Sequence, residues 1–115
     1  MPYFMVQAAY TAESWKAQIR DQGNIEDRLR PLAQALGGRL DSIYYAFGDY
    51  DVVPIGEFPD NETAAAVSLA AAAGGSAKAI KTTPLLTVSE GLEAMKKASR
   101  ATGVYRPPVD QPAAV

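Results

Sequence analysis

Two segments of this 115-residue chain are apolar on both of the faces that a β-strand would present. Residues 3–10 read YFMVQAAY and residues 43–47 read IYYAF. A strand that buries one face only alternates apolar and polar residues, so these segments predict a sheet covered on both sides. Helices can cover one side, and a second copy of the same sheet, about 10 Å away, is the simplest cover for the other. We therefore expect a homodimer or higher homo-oligomer; the alternative is that some of these aromatic residues lie on a solvated face.

The predicted elements follow the order strand, helix, strand, strand, helix, strand, helix. Strand-like segments cover residues 3–10, 39–47, 51–58 and 77–86. Helix N-caps are expected at Thr11, Asn24, Asp60 or Asn61, and Thr87, and helix ends at Gly23, Gly37-Gly38 and Gly74-Gly75. Pro31 lies inside the second helical stretch and is expected to kink or split it. This order predicts an α+β fold, the ferredoxin-like βαββαβ antiparallel sheet with helices on one face.

A chain of this length fits one domain, since domains commonly span about 50 to 250 residues. The regular pattern of strands and helices predicts a domain over residues 1–100. Pro107, Pro108 and Pro112 disfavour regular structure beyond it. Residues 101–115 are therefore predicted to be an extended or disordered tail.

The composition excludes several classes of site and partner. The chain contains no cysteine and no histidine, so a disulfide scaffold, a thiolate metal site and the commonest general base are excluded, and we expect neither metal nor cofactor. A net charge of −2 argues against a nucleic-acid partner. The chain holds no apolar run long enough for a membrane span, and its first residues carry no basic region typical of a signal peptide. We expect a cytoplasmic protein without a membrane partner.

Three short motifs in fixed order carry a resemblance to a known family. Leu36-Gly37-Gly38 is followed by residues 47–53, FGDYDVV, and then by residues 81–87, KTTPLLT. Together they resemble the GYD domain family, which is named after the run at 48–51, and the resemblance covers residues 2–98. It implies a dimeric α+β barrel of ferredoxin-like units and supplies no reaction. Pro31 and Pro54 depart from the family's pattern, and Pro54 should leave a bulge or gap in a central strand.

The hairpin Gly48–Asp51 is the first candidate site. Tyr50 can donate a hydrogen bond and Asp49 or Asp51 can accept one, so the three residues could orient a ligand or move a proton at the mouth of the barrel. The alternative is a purely structural role for the hairpin. Gly48 would then have a positive φ, the two aspartates would bind turn amides, and Tyr50 would pack on Trp15 or on a neighbouring subunit.

A second candidate site lies on the first helix. Lys16 and Arg20 are four residues apart and share one face, with Trp15 beside them. Such a helix could bind an anionic or aromatic ligand. The alternative is that the two cations are solvated surface charges and Trp15 belongs to the core.

A third candidate site involves Glu57 and Lys78. Glu57 shares strand parity with apolar residues, so its carboxylate would need a partner or a raised pKa, which is typical of general bases. Thr82 and Thr83 could add hydroxyl donors for a ligand. The alternative is that Glu57, Lys78 and Lys81 are exposed. The alanine-rich stretch at 64–73 is assigned to packing only.

These features support three function classes. The first is a cofactor-free homo-oligomer that holds a small organic molecule between sheet and helices. The second is a cofactor-independent enzyme of the proton-transfer or oxygenase type, with Tyr50 and the carboxylates of Asp49, Asp51 and Glu57 as its catalytic groups. The third is a structural or assembly subunit whose proline-rich residues 106–108 contact a neighbour.

Overall fold

The computed structural model describes residues 1–108 and contains four strands and four helices. The strands are β1 Tyr3–Tyr10, β2 Arg39–Tyr45, β3 Val52–Glu57 and β4 Ala77–Leu85, and the helices are α1 Ala12–Asp21, α2 Glu26–Ala35, α3 Asn61–Ala73 and α4 Val88–Ala101. The chain divides into two compact units, one over Met1–Leu85 and one that begins at Leu86. The predicted tail at 101–115 lies partly outside the described residues, so the prediction of its conformation stands untested.

The four strands form one antiparallel sheet in the order β2-β3-β1-β4, which confirms the predicted ferredoxin-like α+β fold. The two central strands are β1 and β3. Their ladder joins Tyr3–Met5 to Ile55–Glu57 and resumes at Ala8 and Val52. The interruption contains Pro54, which has no N–H to donate to the ladder. The predicted gap in a central strand is therefore confirmed.

The strand register divides the apolar residues of β1 between the two faces of the sheet. One face carries Phe4, Val6, Ala8 and Tyr10, opposite Pro84, Thr82, Ile80 and Ala77 of β4. The core of this face combines Phe4 with Ala33 of α2, Ala64 of α3, Leu40 and Phe58. The second face carries Tyr3, Met5, Gln7 and Ala9, with Val53, Ile55 and Leu85 on the neighbouring strands. The first face is therefore largely apolar, whereas the second also carries Glu57, Lys81 and Thr83, so its apolar residues share the surface with polar and charged ones.

Local side-chain hydrogen bonds fix the helix starts. Thr11 accepts from the N–H of Ser14 at 3.1 Å, and Asp60 accepts from the N–H of Thr63 at 2.8 Å. Thr87 and Glu90 form a capping box at the start of α4. These three predicted N-caps are confirmed because each depends on residues within one helical turn.

The structure corrects three details of the helical region between β1 and β2. The N-cap of α2 is Ile25 rather than Asn24, whose Oδ1 accepts from the N–H of Glu26 at 2.9 Å. The left-handed residue that follows α1 is Gln22, with φ 49°, rather than Gly23. Helix α2 runs continuously through Pro31, so the proline does not split it, while the expected separation of α1 from α2 near Gly23 and Asn24 is confirmed. Pro31 is exposed, and water can therefore bind the carbonyl that lacks its N–H partner.

Helix α4, in the second unit, has an apolar stripe. Val88, Leu92 and Met95 follow one another at i, i+4 and i+7, and 52–83% of each is exposed. Within residues 1–108, no helix has both the length and the apolar character that a membrane crossing requires.

Candidate functional site

A cavity of about 420 Å³ lies in the first unit, between α2, α3 and the face of the sheet that they cover. Val6 and Ala8 of β1 and Val52 and Pro54 of β3 form its floor. The remaining lining residues come mainly from the two helices and the ends of β2 and β4: Tyr10, Ile25, Arg28, Leu29, Leu32, Ala33, Leu40, Gly56, Phe58, Val67, Ala70, Ala71, Gly74, Ser76, Ala77 and Ile80. The lining is therefore predominantly apolar.

The cavity arises from where the two helices pack. Helix α2 packs mainly against β2, and α3 packs mainly against β4, so the central strands between them are left partly uncovered. On the α3 side the lining residues Ala70, Ala71 and Gly74 are too small to close this gap. The alanine-rich stretch is predicted to serve packing only, and α3 does pack against β4, while Ala70 and Ala71 also line the cavity.

Three polar residues line the cavity, and the chain topology brings them to one end of it. Tyr10 ends β1 opposite Ala77, Ser76 directly precedes β4, and Arg28 lies in the first turn of α2. The carbonyl of Ser76 accepts from the N–H of Thr11 at 3.0 Å, which fixes the two chain segments together. The guanidinium of Arg28 donates to Oε1 of Gln18 at 3.2 Å.

Tyr10 is the most constrained of these polar groups. It is 8% exposed and packs with Ile25 and Val52, and its ring meets Trp15 edge-on at 5.2 Å between centroids. Burial raises the pKa of the Tyr10 hydroxyl, while the nearby charge of Arg28 lowers it in part. Tyr10 is therefore a neutral hydroxyl at physiological pH.

The first predicted site, the GYD loop (Gly48–Asp51), lies outside the lining of this cavity. Oδ2 of Asp51 accepts from the N–H of Tyr10 at 2.8 Å, and the N–H of Asp51 donates to the carbonyl of Ala8 at 2.8 Å. Asp49 is exposed and Tyr50 is half-buried. The ring that packs on Trp15, among the described residues, is that of Tyr10 rather than that of Tyr50.

The expected positive φ of Gly48 is wrong. In the described part of the chain the glycines with positive φ are Gly37 and Gly75. The connection between β2 and β3 spans residues 46–51, and the N–H of Ala46 donates to the carbonyl of Asp51 at 2.8 Å. A connection of this length does not require the left-handed residues of a two-residue hairpin turn.

The second and third predicted sites are dispersed over the structure. Lys16 is exposed, and the exposed Arg20 pairs with Asp21 at 2.9 Å, so neither joins Trp15 in a common site. Glu57, with 13% of its side chain exposed, has the partner that its carboxylate is expected to need, which is Arg39 on the adjacent strand. Lys78 is exposed where the register of β1 and β4 shifts.

Thr82 and Thr83 point to opposite faces of β4. Thr82 shares a hydrogen bond with Ser68 of α3 and lines a second cavity of about 340 Å³ between α3 and β4. Thr83 pairs with Met5 on the other face of the sheet. The two hydroxyls therefore cannot serve one ligand.

Sequence reasoning missed Tyr10, Arg28 and Ser76. A capped helix that begins directly after Tyr10 indicates that this residue ends a strand, but nothing local indicates that α2 places Arg28 near it. Across residues 1–108, no group of three or more Asp and Glu side chains is arranged to hold a metal ion.

Comparisons with known proteins establish the family and support the fold. A search of curated proteins finds no match. The crystal structure of MtbAldR (Rv2779c) is similar with a TM-score of 0.58 and 15% sequence identity, over 75% of this chain and 52% of that one. The chain thus spans about half the length of that protein, and the likeness concerns the fold alone. The family model of the GYD domain matches residues 4–95, and the chain therefore belongs to the GYD domain family.

Proposed function

We propose that this protein binds a small organic molecule in the cavity between α2, α3 and the sheet. The observation that carries the proposal is the cavity itself, about 420 Å³ with an apolar lining and three polar residues at one end. Ligand sites typically enclose about 300–1,000 Å³ and combine apolar walls with a few polar groups that orient the ligand.

The packing of the surrounding residues supports an occupant. Val67 and Leu29 contact the core and also line the cavity, so they have partner atoms on one side and space on the other. An apolar molecule in that space would supply the missing dispersion contacts and displace poorly bonded water.

A neutral fluorescent probe, N-phenyl-1-naphthylamine, tests this proposal with a pair of matched variants. Ala71→Leu adds volume to a half-buried lining residue, whereas Ala72→Leu adds the same volume to an exposed neighbour outside the lining. We expect saturable binding at one probe per chain and a loss of about tenfold in affinity for Ala71→Leu, since part of the ligand volume is filled. Ala72→Leu should bind as the wild type does.

Two results would contradict the proposal. One is the absence of saturable probe binding to the wild-type protein. The other is an equal effect of Ala71→Leu and Ala72→Leu, with circular dichroism showing that both variants are folded.

We also propose that the protein acts as a homo-oligomer in which two copies pack the second faces of their sheets together. That face carries Met5, Val53 and Ile55, and Tyr44 beside them is 64% exposed. Apolar side chains on a sheet face are stabilised by burial at about 25 cal/mol per Å². A second sheet about 10 Å away would provide that burial.

Sedimentation velocity of Ile55→Arg tests this assembly. A cation at the centre of a face-to-face interface would have no partner, so we expect the wild type to sediment as a dimer or larger and the variant as a monomer. Phe47→Arg is the control, because Phe47 is fully exposed in the loop after β2. A wild-type protein that sediments as a 12 kDa monomer would refute the proposal.

A further inference from the structure

The polar and apolar parts of the cavity lining are segregated along its length. Tyr10, Ser76 and Arg28 lie where β1 ends and β4 and α2 begin. The opposite end is formed by Leu40 and Phe58, which belong to the apolar core cluster. A molecule that fills the cavity therefore meets polar groups at one end and hydrocarbon along the rest.

Arg28 supplies the positive charge at the polar end, and its effect on the Tyr10 hydroxyl exceeds the opposing effect of the Asp51 carboxylate. Ion pairs in the described part of the chain involve Arg20, Arg30, Arg39 and Lys96, and Arg28 instead donates to the neutral amide oxygen of Gln18. The acidic group close to Tyr10 is Asp51, whose Oδ2 already accepts the N–H of Tyr10 and which does not line the cavity. The guanidinium, with five donors, retains capacity to bind an anion.

The hydroxyl of Tyr10 adds a donor beside Arg28, and Ser76 lines the same end of the cavity. Burial disfavours the ionised form of Tyr10, so its O–H is available to donate to an acceptor on a ligand. A guanidinium beside a neutral hydroxyl matches a carboxylate, which accepts hydrogen bonds through both oxygens and carries the opposite charge.

We propose that the ligand is an amphipathic monocarboxylate, with its carboxylate at Arg28, Tyr10 and Ser76 and its apolar tail between α2 and α3. This inference rests on the binding function proposed above and specifies the ligand class. The tail lies over the floor of the cavity toward Phe58. From Tyr10 to Val6 the floor extends about 13 Å at 3.3 Å per residue, which suits an elongated tail better than a compact one.

The charge of the head group distinguishes this ligand class from others with the same tail. A neutral alcohol would gain the apolar contacts but not the charge-assisted bond to Arg28. An ammonium head would be repelled by the guanidinium. The order of affinity should therefore be carboxylate, alcohol, amine.

Isothermal titration calorimetry with decanoate, decan-1-ol and decylamine tests the proposal on the full chain. We expect decanoate to bind about tenfold more tightly than decan-1-ol, and decylamine to bind most weakly. Arg28→Gln should reduce the affinity for decanoate to that for decan-1-ol and leave the affinity for decan-1-ol unchanged. The affinity for decanoate should also fall as salt is added, because the Arg28 side chain lies at the surface.

Arg30→Gln is the matched control, since Arg30 lies on the same helix but outside the cavity lining and pairs with Glu26 at 2.9 Å. Its affinity for decanoate should equal that of the wild type. If the three ligands bind equally, or if Arg30→Gln and Arg28→Gln have the same effect, the carboxylate proposal is wrong while the binding function stands. If none of the ligands binds and N-phenyl-1-naphthylamine does not bind either, both are wrong.

Discussion

Oδ2 of Asp51 accepts a hydrogen bond from the backbone N–H of Tyr10 at 2.8 Å, across 41 positions of sequence. The bond ties the last residue of the GYD loop to the last residue of β1. Tyr10 in turn lines the polar end of the cavity. The aspartate that ends the family's signature run therefore supports the candidate site from outside it, by fixing the strand end that carries a lining residue.

Replacement of Asp51 by alanine tests this role. The N–H of Tyr10 would lose its acceptor in a partly buried position, so we expect the free energy of unfolding to fall by about 1–2 kcal/mol. Urea denaturation followed by circular dichroism measures the change. Asp51→Asn, whose amide oxygen can accept the same bond, should recover part of the loss.

Asp49→Ala is the control for this prediction. Asp49 is an exposed residue of the same loop, and its replacement should change the free energy of unfolding by less than about 0.5 kcal/mol. If Asp49→Ala and Asp51→Ala lower the free energy of unfolding equally, the hydrogen bond from Tyr10 to Asp51 does not stabilise the fold.

Gly38 and Gly48 belong to two of the motifs that identify the family, but their surroundings differ. A Cβ at Gly38 would overlap the ring of Phe58 and lie 2.6 Å from the carbonyl oxygen of Glu57, whereas a Cβ at Gly48 would have no atom within 4 Å. We expect Gly38→Ala to reduce the free energy of unfolding by about 1–3 kcal/mol through overpacking. Gly48→Ala should be neutral or slightly stabilising, because its φ is not positive and alanine restricts the unfolded chain.

Thermal unfolding monitored by circular dichroism measures both glycine variants. The prediction fails if Gly48→Ala lowers the melting temperature as much as Gly38→Ala does. Such a result would mean that Gly48 stabilises the GYD loop by some means other than a positive φ or the room for a Cβ.

The sequence predicts those parts of the fold that depend on neighbouring residues. The caps at Thr11, Asp60 and Thr87 are confirmed because a side chain and its acceptor or donor lie within one turn. The gap at Pro54 is confirmed because a missing N–H has the same effect in any sheet. The pattern of apolar residues in β1 similarly predicts that both faces of the sheet carry apolar side chains, but it does not show that Glu57 and Lys81 of neighbouring strands share the second face.

The cavity could not be predicted, because it depends on the distance between helices that are far apart in sequence. Arg28 looks like any exposed cation of an amphipathic helix until the fold places its helix beside the end of β1. Glu57 was predicted to need a partner, but the sequence could not show that the β2–β3 register supplies Arg39. The helix and strand propensities of the residues indicate which segments form helices and strands, but only tertiary packing determines which side chains share a cavity.

The N-cap of α3 predicts a pH dependence of stability. Hydrogen bonds from Thr63 hold the pKa of Asp60 below its usual value of 3.8. A carboxylate with a lowered pKa in the folded state stabilises that state at pH values above the unfolded pKa, and the contribution is lost as pH falls through the folded pKa. In urea denaturation, Asp60→Ala should therefore be less stable than the wild type at pH 7, and the difference should shrink below about pH 4.

Asp60→Asn separates the charge from the hydrogen bond in this experiment. Asparagine is also a good N-cap and does not titrate, so the variant should keep most of the stability at pH 7 and lose less of it on acidification. A constant difference between the wild type and Asp60→Asn from pH 7 to pH 3 would contradict the assignment of the pH dependence to this carboxylate.

The alkaline titration of Tyr10 tests the environment at the polar end of the cavity. Burial raises the pKa of Tyr10 above its usual value of 10.0, and Arg28 opposes part of that rise. Ultraviolet difference spectra at 295 nm should show a late tyrosine step that is absent in Tyr10→Phe, and Arg28→Gln should move this step to higher pH. The raised pKa stabilises the folded state below about pH 10, and this contribution is lost as pH rises through the folded pKa. If Arg28→Gln leaves the Tyr10 step in place while Tyr10→Phe removes it, the guanidinium does not act on the Tyr10 hydroxyl in solution.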